Sequence, residues 1–91
     1  MRGGNINEFI DDLYYGFEQV FWYRGKKYFI QGLTIDGNPW LLLDQWEPPG
    51  DDYVWKKEGK DRFPVKDFLN AKIWDGRDFW EAQDEMEWVD C

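Results

Sequence analysis

The sequence predicts an α+β protein: a small antiparallel sheet of about four or five strands, with an N-terminal helix, a β-meander and short C-terminal helices, in one compact domain over residues 1–91. Three observations carry this expectation. Apolar residues fall at helical spacing before Gly16 and again after Pro64. Between those points aromatic and β-branched residues run in extended stretches. Each stretch is closed by a turn signal bearing Gly or Pro.

Taken in order, Met1–Gly4 reads as a flexible tail, and Asn5 followed three residues on by Glu8 reads as a capping-box variant. Ile6, Phe9, Ile10, Leu13 and Phe17 follow at helical spacing, with Gly16 placed to end the helix, which gives a first helix over about Asn5–Tyr15. From Phe17 the period changes to two, with large aromatics on both faces of the strand up to Tyr23. Arg24-Gly25 turns the chain into a second strand, Lys27–Ile35, with Gly25 supplying positive φ. Asp36-Gly37-Asn38-Pro39 is the next turn, and Trp40–Trp46 returns as a third strand, completing a meander. Residues 47–52, with Pro48-Pro49-Gly50, read as a mobile Pro-rich loop, followed by a short fourth strand over Tyr53–Lys56. Pro64 is expected at the first helical position of a helix reaching Asn70. Asp75-Gly76 breaks the chain, Arg77–Gln83 forms a short helical turn, and Glu85–Val89 is read as a final edge strand rather than a helix.

A chain of this length has one core to build, and its seven Trp, seven Phe and five Tyr are the means of building it. The one cysteine, Cys91, offers no internal disulfide, which fits a reducing compartment. No secretory leader follows Met1, and Leu41-Leu42-Leu43 is far below the roughly 20 apolar residues of a membrane span. The expectation is a cytoplasmic protein. Eleven basic against nineteen acidic residues leave a net charge of −8, which repels nucleic-acid backbones and anionic lipid alike. The charge is graded along the chain, with residues 1–33 neutral, residues 34–63 at −3 and residues 64–91 at −5.

Chemistry-bearing residues are scarce. Histidine and serine are absent, Thr34 is the single threonine and the cysteine is terminal, so the usual general base, hydroxyl nucleophile and zinc ligands are missing. Asp11-Asp12, Asp51-Asp52, Asp75 with Asp78, and Asp84-Glu85 with Glu87 are paired carboxylates. Acid–base work on sugars would need such acids across a cleft with separated pKa values. None matches a calcium loop, and no glycine cluster opens a helix to cradle phosphate. No enzymatic activity, metal or cofactor is therefore expected.

Two stretches, Leu13–Glu18 running into Phe21-x-Tyr23-x-Gly25-Lys26-Lys27-Tyr28-x-Ile30, and Phe68–Trp80, resemble short acidic, aromatic-rich proteins of Gram-positive bacteria that have no assigned activity. The resemblance spans most of the chain. It implies a small cytoplasmic α+β protein and transfers no site residue.

What remains is a surface. Toward the C-terminal end, Asp75–Cys91 sets Phe79, Trp80, Met86 and Trp88 among seven carboxylates and one positive side chain, Arg77. Trp80 and Trp88 are the candidate anchors for a partner, and Asp78, Glu81, Asp84, Glu85 and Glu87 the residues that would favour a basic surface. The expected partner is another protein, possessing a basic surface in one version, or a second copy of the chain. A sharper alternative is an inhibitor or immunity-type protein whose acidity mimics nucleic acid. Trp22, Tyr23, Tyr28, Trp40, Trp46, Tyr53 and Trp55 lie on or beside the predicted sheet. A small domain rarely buries every ring of so large a set, so an exposed aromatic patch is expected.

Overall fold

Asn5 opens the first helix, α1 (Ile6–Tyr14), by accepting the backbone N–H groups of Asn7 and Glu8 on its side-chain oxygen at 2.8 and 3.4 Å. Its far end is a Schellman closure: Gly16 N–H donates to the Leu13 carbonyl and Phe17 N–H to the Asp12 carbonyl, with Gly16 at φ +75. These coordinates are a computed structural model that describes residues 1–89. Asp90, one of the seven C-terminal carboxylates, and Cys91, the single cysteine, lie outside the described residues, and with Cys91 the expectation of a reducing compartment.

Five strands follow the pattern read from the sequence, with shifted ends. They are β1 (Gln19–Tyr23), β2 (Lys26–Ile35), β3 (Asn38–Glu47), β4 (Trp55–Glu58) and β5 (Met86–Val89), in the order β4-β3-β2-β1-β5, all neighbours antiparallel. Arg24-Gly25 and Asp36-Gly37 each place two successive residues at positive φ. That is the type I′ geometry whose twist matches the strands it joins. A two-residue turn leaves nothing over, so β3 starts at Asn38 rather than Trp40. Pro39 is tolerated there because the β4 ladder stops at Trp40 and asks no N–H of it.

β4 lies two residues later than expected. Tyr53 N–H is taken by the Asp52 side chain at 2.7 Å and Val54 N–H by the Leu43 carbonyl, so pairing begins at Trp55 and runs through charged, exposed residues to Glu58. The preceding Pro-rich segment begins at Pro48, since Glu47 belongs to β3. Gln45 holds it through its side-chain N–H to the Pro48 carbonyl and its own carbonyl to Gly50 N–H.

α2 (Val65–Asn70) begins one residue after Pro64, which caps it from outside. Asp75-Gly76 is a third turn with both residues at positive φ, tied by reciprocal Trp74 and Arg77 backbone bonds. α3 (Phe79–Ala82) and a 3-10 turn over Gln83–Glu85 then lead into β5.

The helices cover one face of the sheet. Phe9 and Leu13 of α1, Val65, Phe68 and Leu69 of α2 and Phe79 and Ala82 of α3 form one cluster with Phe21, Tyr23, Tyr28, Ile30, Leu41, Leu43 and Met86, the alternate strand positions. Trp74 is its centre, meeting Phe21, Tyr23, Tyr28 and Phe68 edge-to-face at 5.1–6.5 Å between centroids. Phe63 fills the gap where α1 leaves the core. A side-chain carbon on Gly16 would lie 2.6 Å from its ring, and one on Gly32 would lie 2.7 Å from both that ring and the Gly16 backbone.

Met1–Gly4, read as a flexible tail, lies against β5. Arg2 donates its N–H to the Met86 carbonyl and accepts Trp88 N–H, and Gly4 sits beneath the Trp88 ring. A tail of two glycines advertises freedom in sequence, but here their missing side chains are what permit the close approach.

Candidate functional site

The seven residues singled out in the last third do not form one patch. Trp88 pairs with Phe21 across β1 and β5, and that register turns it to the helix-covered side, edge-to-face with Phe9 at 5.6 Å. Its indole N–H donates to Gln19 Oε1 at 2.8 Å, satisfying an amide that is only 4 % exposed. Trp88 is thus a rim element of the core. Trp80, on α3, is 49 % exposed and packs its edge against Phe79.

Four of the five acids have local work, Asp84 by accepting Gln83 Nε2 at 2.8 Å. Asp78 and Glu81 are the two halves of the capping box of α3: Asp78 accepts Glu81 N–H at 2.9 Å and Glu81 accepts Asp78 N–H at 3.0 Å. Glu85 receives Arg24 in a two-pronged pair at 2.8 and 3.0 Å and also receives Arg77, while Asp75 takes the other arm of Arg24 at 2.9 Å. The Tyr23 hydroxyl sits between, accepting from Arg77 and donating to Asp75. This network joins the Arg24-Gly25 turn to the Asp75-Gly76 turn. The Arg24 and Arg77 hydrogen bonds hold the Glu85 carboxyl down at about 2, and the same contacts push both guanidinium groups up. Asp84 and Glu87, with Glu85, border a shallow concavity of about 520 Å³ that also takes in Arg2, Trp22 and Arg24.

The aromatic surface lies instead on the second face of the sheet. Strand alternation places Val20, Trp22, Phe29, Leu42 and Trp46 opposite the helical core, and none of them belongs to the core cluster. Phe29 and Trp46 stack with centroids 4.4 Å apart and planes within 9°. Trp46 lies two residues along β3 from Asp44, which opposes Phe29, so plain alternation sets its ring beside Phe29; the register slip between Lys27 and Tyr28 follows at this end and brings Glu47 opposite Lys27. Val20 and Leu42 are buried at 3 % and 4 % on this face, whereas Trp46 is 43 % exposed and Leu33, paired with Trp40 toward the other end of β2, is 41 % exposed. Acids border the face: Asp44 opposes Phe29 and Glu87 opposes Trp22. Two cations share the face: Lys27, 5.6 Å over the Trp22 ring and 3.8 Å from Glu47, and Lys56, which opposes Leu42 across β3 and β4.

The sequence signal for this face was the presence of large aromatics on both sides of the first strand. What sequence could not supply was the pairing register of β2 with β3, which sets Asp44 opposite Phe29 and so brings Trp46 beside it.

Among the described residues, no group of three or more His, Cys, Asp or Glu side chains converges as a metal site requires, and no helix is long and apolar enough to cross a membrane. Comparison of the chain with protein-family models, with curated proteins and with solved structures finds no match. The resemblance to short acidic Gram-positive proteins therefore carries no part of the functional argument.

Proposed function

We propose that this chain is a non-enzymatic, cytoplasmic protein-interaction module, and that its binding surface is the uncovered face of the sheet around Trp22, Phe29 and Trp46. The observation that carries this reading is the stacked Phe29–Trp46 pair on a sheet whose other face already holds a complete core. Rigid aromatic rings held by strand backbone lose little entropy when covered, which is why Trp and Tyr dominate interface hot spots. The acids beside the rings, Asp44 and Glu87, suit a partner segment that combines apolar and basic side chains.

The alternative, an inhibitor that mimics nucleic acid, draws less support. Such mimicry needs a row of free carboxylates, whereas Asp75 and Glu85 are paired with arginines, and Asp78 and Glu81 are occupied in a helix cap.

The test is affinity capture from the native host's lysate by the wild-type chain, a Phe29→Ala/Trp46→Ala variant and a Trp80→Ala variant. The reading predicts one stoichiometric partner held by wild type and Trp80→Ala and lost by the double variant. A partner lost with Trp80→Ala and kept by the double variant would move the site to α3.

A further inference from the structure

The positive charge of this acidic protein is concentrated in one place. Residues 56–66 hold Lys56, Lys57, Lys60, Arg62 and Lys66 against Glu58 and Asp61, a local sum of +3 in a chain of −8, so the remaining residues carry −11. Lys60, Arg62 and Lys66 border a single cleft of about 420 Å³ with Tyr14, Phe63 and Asp61. Among the described residues these three cations make no ion pair, while Lys57 occupies Asp67, an acid of the same cleft, at 3.5 Å.

The walls of this cleft are set by the fold and do not depend on a ligand to form. Gly59 N–H donates to the Pro39 carbonyl at 2.7 Å, and a side-chain carbon at Gly59 would lie 2.0 Å from the Arg62 carbonyl oxygen, so the Gly59–Arg62 loop folds tightly onto its own glycine. Phe63 is wedged against Gly16 and Gly32, which ties the loop to the end of α1 where Tyr14 stands. A preformed wall lowers the ordering cost of binding, and the volume falls in the range of small-molecule sites. The lining is mixed: half-buried Tyr14 and Phe63, the exposed cations Lys60, Arg62 and Lys66, and the acids Asp61 and Asp67, while Pro64 and Val65 are buried.

We propose that this cleft binds a small organic anion, a carboxylate or phosphate ester attached to an apolar or aromatic body. The Lys60, Arg62 and Lys66 heads take the anionic group and the Tyr14 and Phe63 rings take the body. The site is separate from the aromatic sheet face, and its test is independent of any protein partner.

The experiment is an amide NMR titration of the full chain with phenyl phosphate, 3-phenylpropionate and the neutral 3-phenylpropanol. At least one of the two anions shifts the signals of Tyr14 and Gly59–Asp67 with saturation, and the tighter of them identifies the head group. The neutral alcohol binds weaker by about tenfold or more, as the loss of a charge-assisted contact requires. A Lys60→Gln/Arg62→Gln variant, both positions being exposed, keeps the wild-type melting temperature and weakens the anion by a similar factor. Absence of saturable shifts in this segment with both anions, equal binding of the alcohol, or undiminished binding by the variant would each overturn the proposal.

Discussion

Arg24 and Glu85, sixty-one residues apart, meet in a two-pronged ion pair in which Nε donates to Oε1 at 2.8 Å and Nη2 to Oε2 at 3.0 Å. Fork-on-fork geometry fixes direction as well as distance, so the pair aligns the β1–β2 turn with the 3-10 turn that feeds β5. Arg77 adds a second cation to the same carboxylate.

The pair has a pH signature. Glu85 is held at about 2 against an ordinary 4.5, so its contribution to stability is fully present above about 4.5 and is lost as pH falls toward 2. Thermal melts of wild type and Glu85→Gln should differ at neutral pH and converge across that window. Because the carboxyl is partly exposed, the neutral-pH gap should shrink in high salt.

Gly32 is required by contact rather than by turn geometry. Gly32→Ala places its Cβ 2.7 Å from the Gly16 backbone and from the Phe63 ring. Overpacking of this kind costs about 1–3 kcal/mol, to be read as a lower urea midpoint at unchanged slope. Gly37→Ala, where nothing lies within 4 Å but φ is +81, tests a different cost, the roughly 1–2 kcal/mol of a left-handed L-residue.

The two tryptophans of the last third should separate cleanly. Trp88→Phe strands the buried Gln19 amide without its indole donor, for about 1–3 kcal/mol of stability. Trp80→Ala, at a half-exposed helix position, should stay within about 0.5 kcal/mol of wild type. Urea denaturation of the two variants side by side checks both.

Asp78→Ala removes one half of the cap of α3 and should cost about 1 kcal/mol. Its effect belongs to folding, so the amide signals of Phe79–Ala82 should lose exchange protection ahead of those of β2.

Much of the architecture was legible in the sequence because local chemistry dictated it. Gly16, Arg24-Gly25 and Asp36-Gly37 announced a helix end and two hairpin turns, and the structure places a positive-φ residue at each. Strand ends were less legible. Where β4 starts depends on Val54 finding the Leu43 carbonyl, a contact invisible to periodicity. The surface was the least legible part. Acids such as Asp78 and Glu85 read as a free negative field until the capping box and the arginines are placed beside them. Trp46 reads as one more strand aromatic until the β2–β3 register sets it beside Phe29.

The most direct test of the aromatic-face account uses the indole N–H signals of the seven tryptophans. A nitrogen-edited spectrum of the full chain is recorded as a soluble peptide of alternating leucine and lysine is added. The account predicts saturable shifts of the Trp22 and Trp46 indoles, lost in the Phe29→Ala/Trp46→Ala variant for the Trp22 signal, with buried Trp74 unmoved. Shifts confined to Trp80, or a Trp22 response unchanged by that variant, would contradict it.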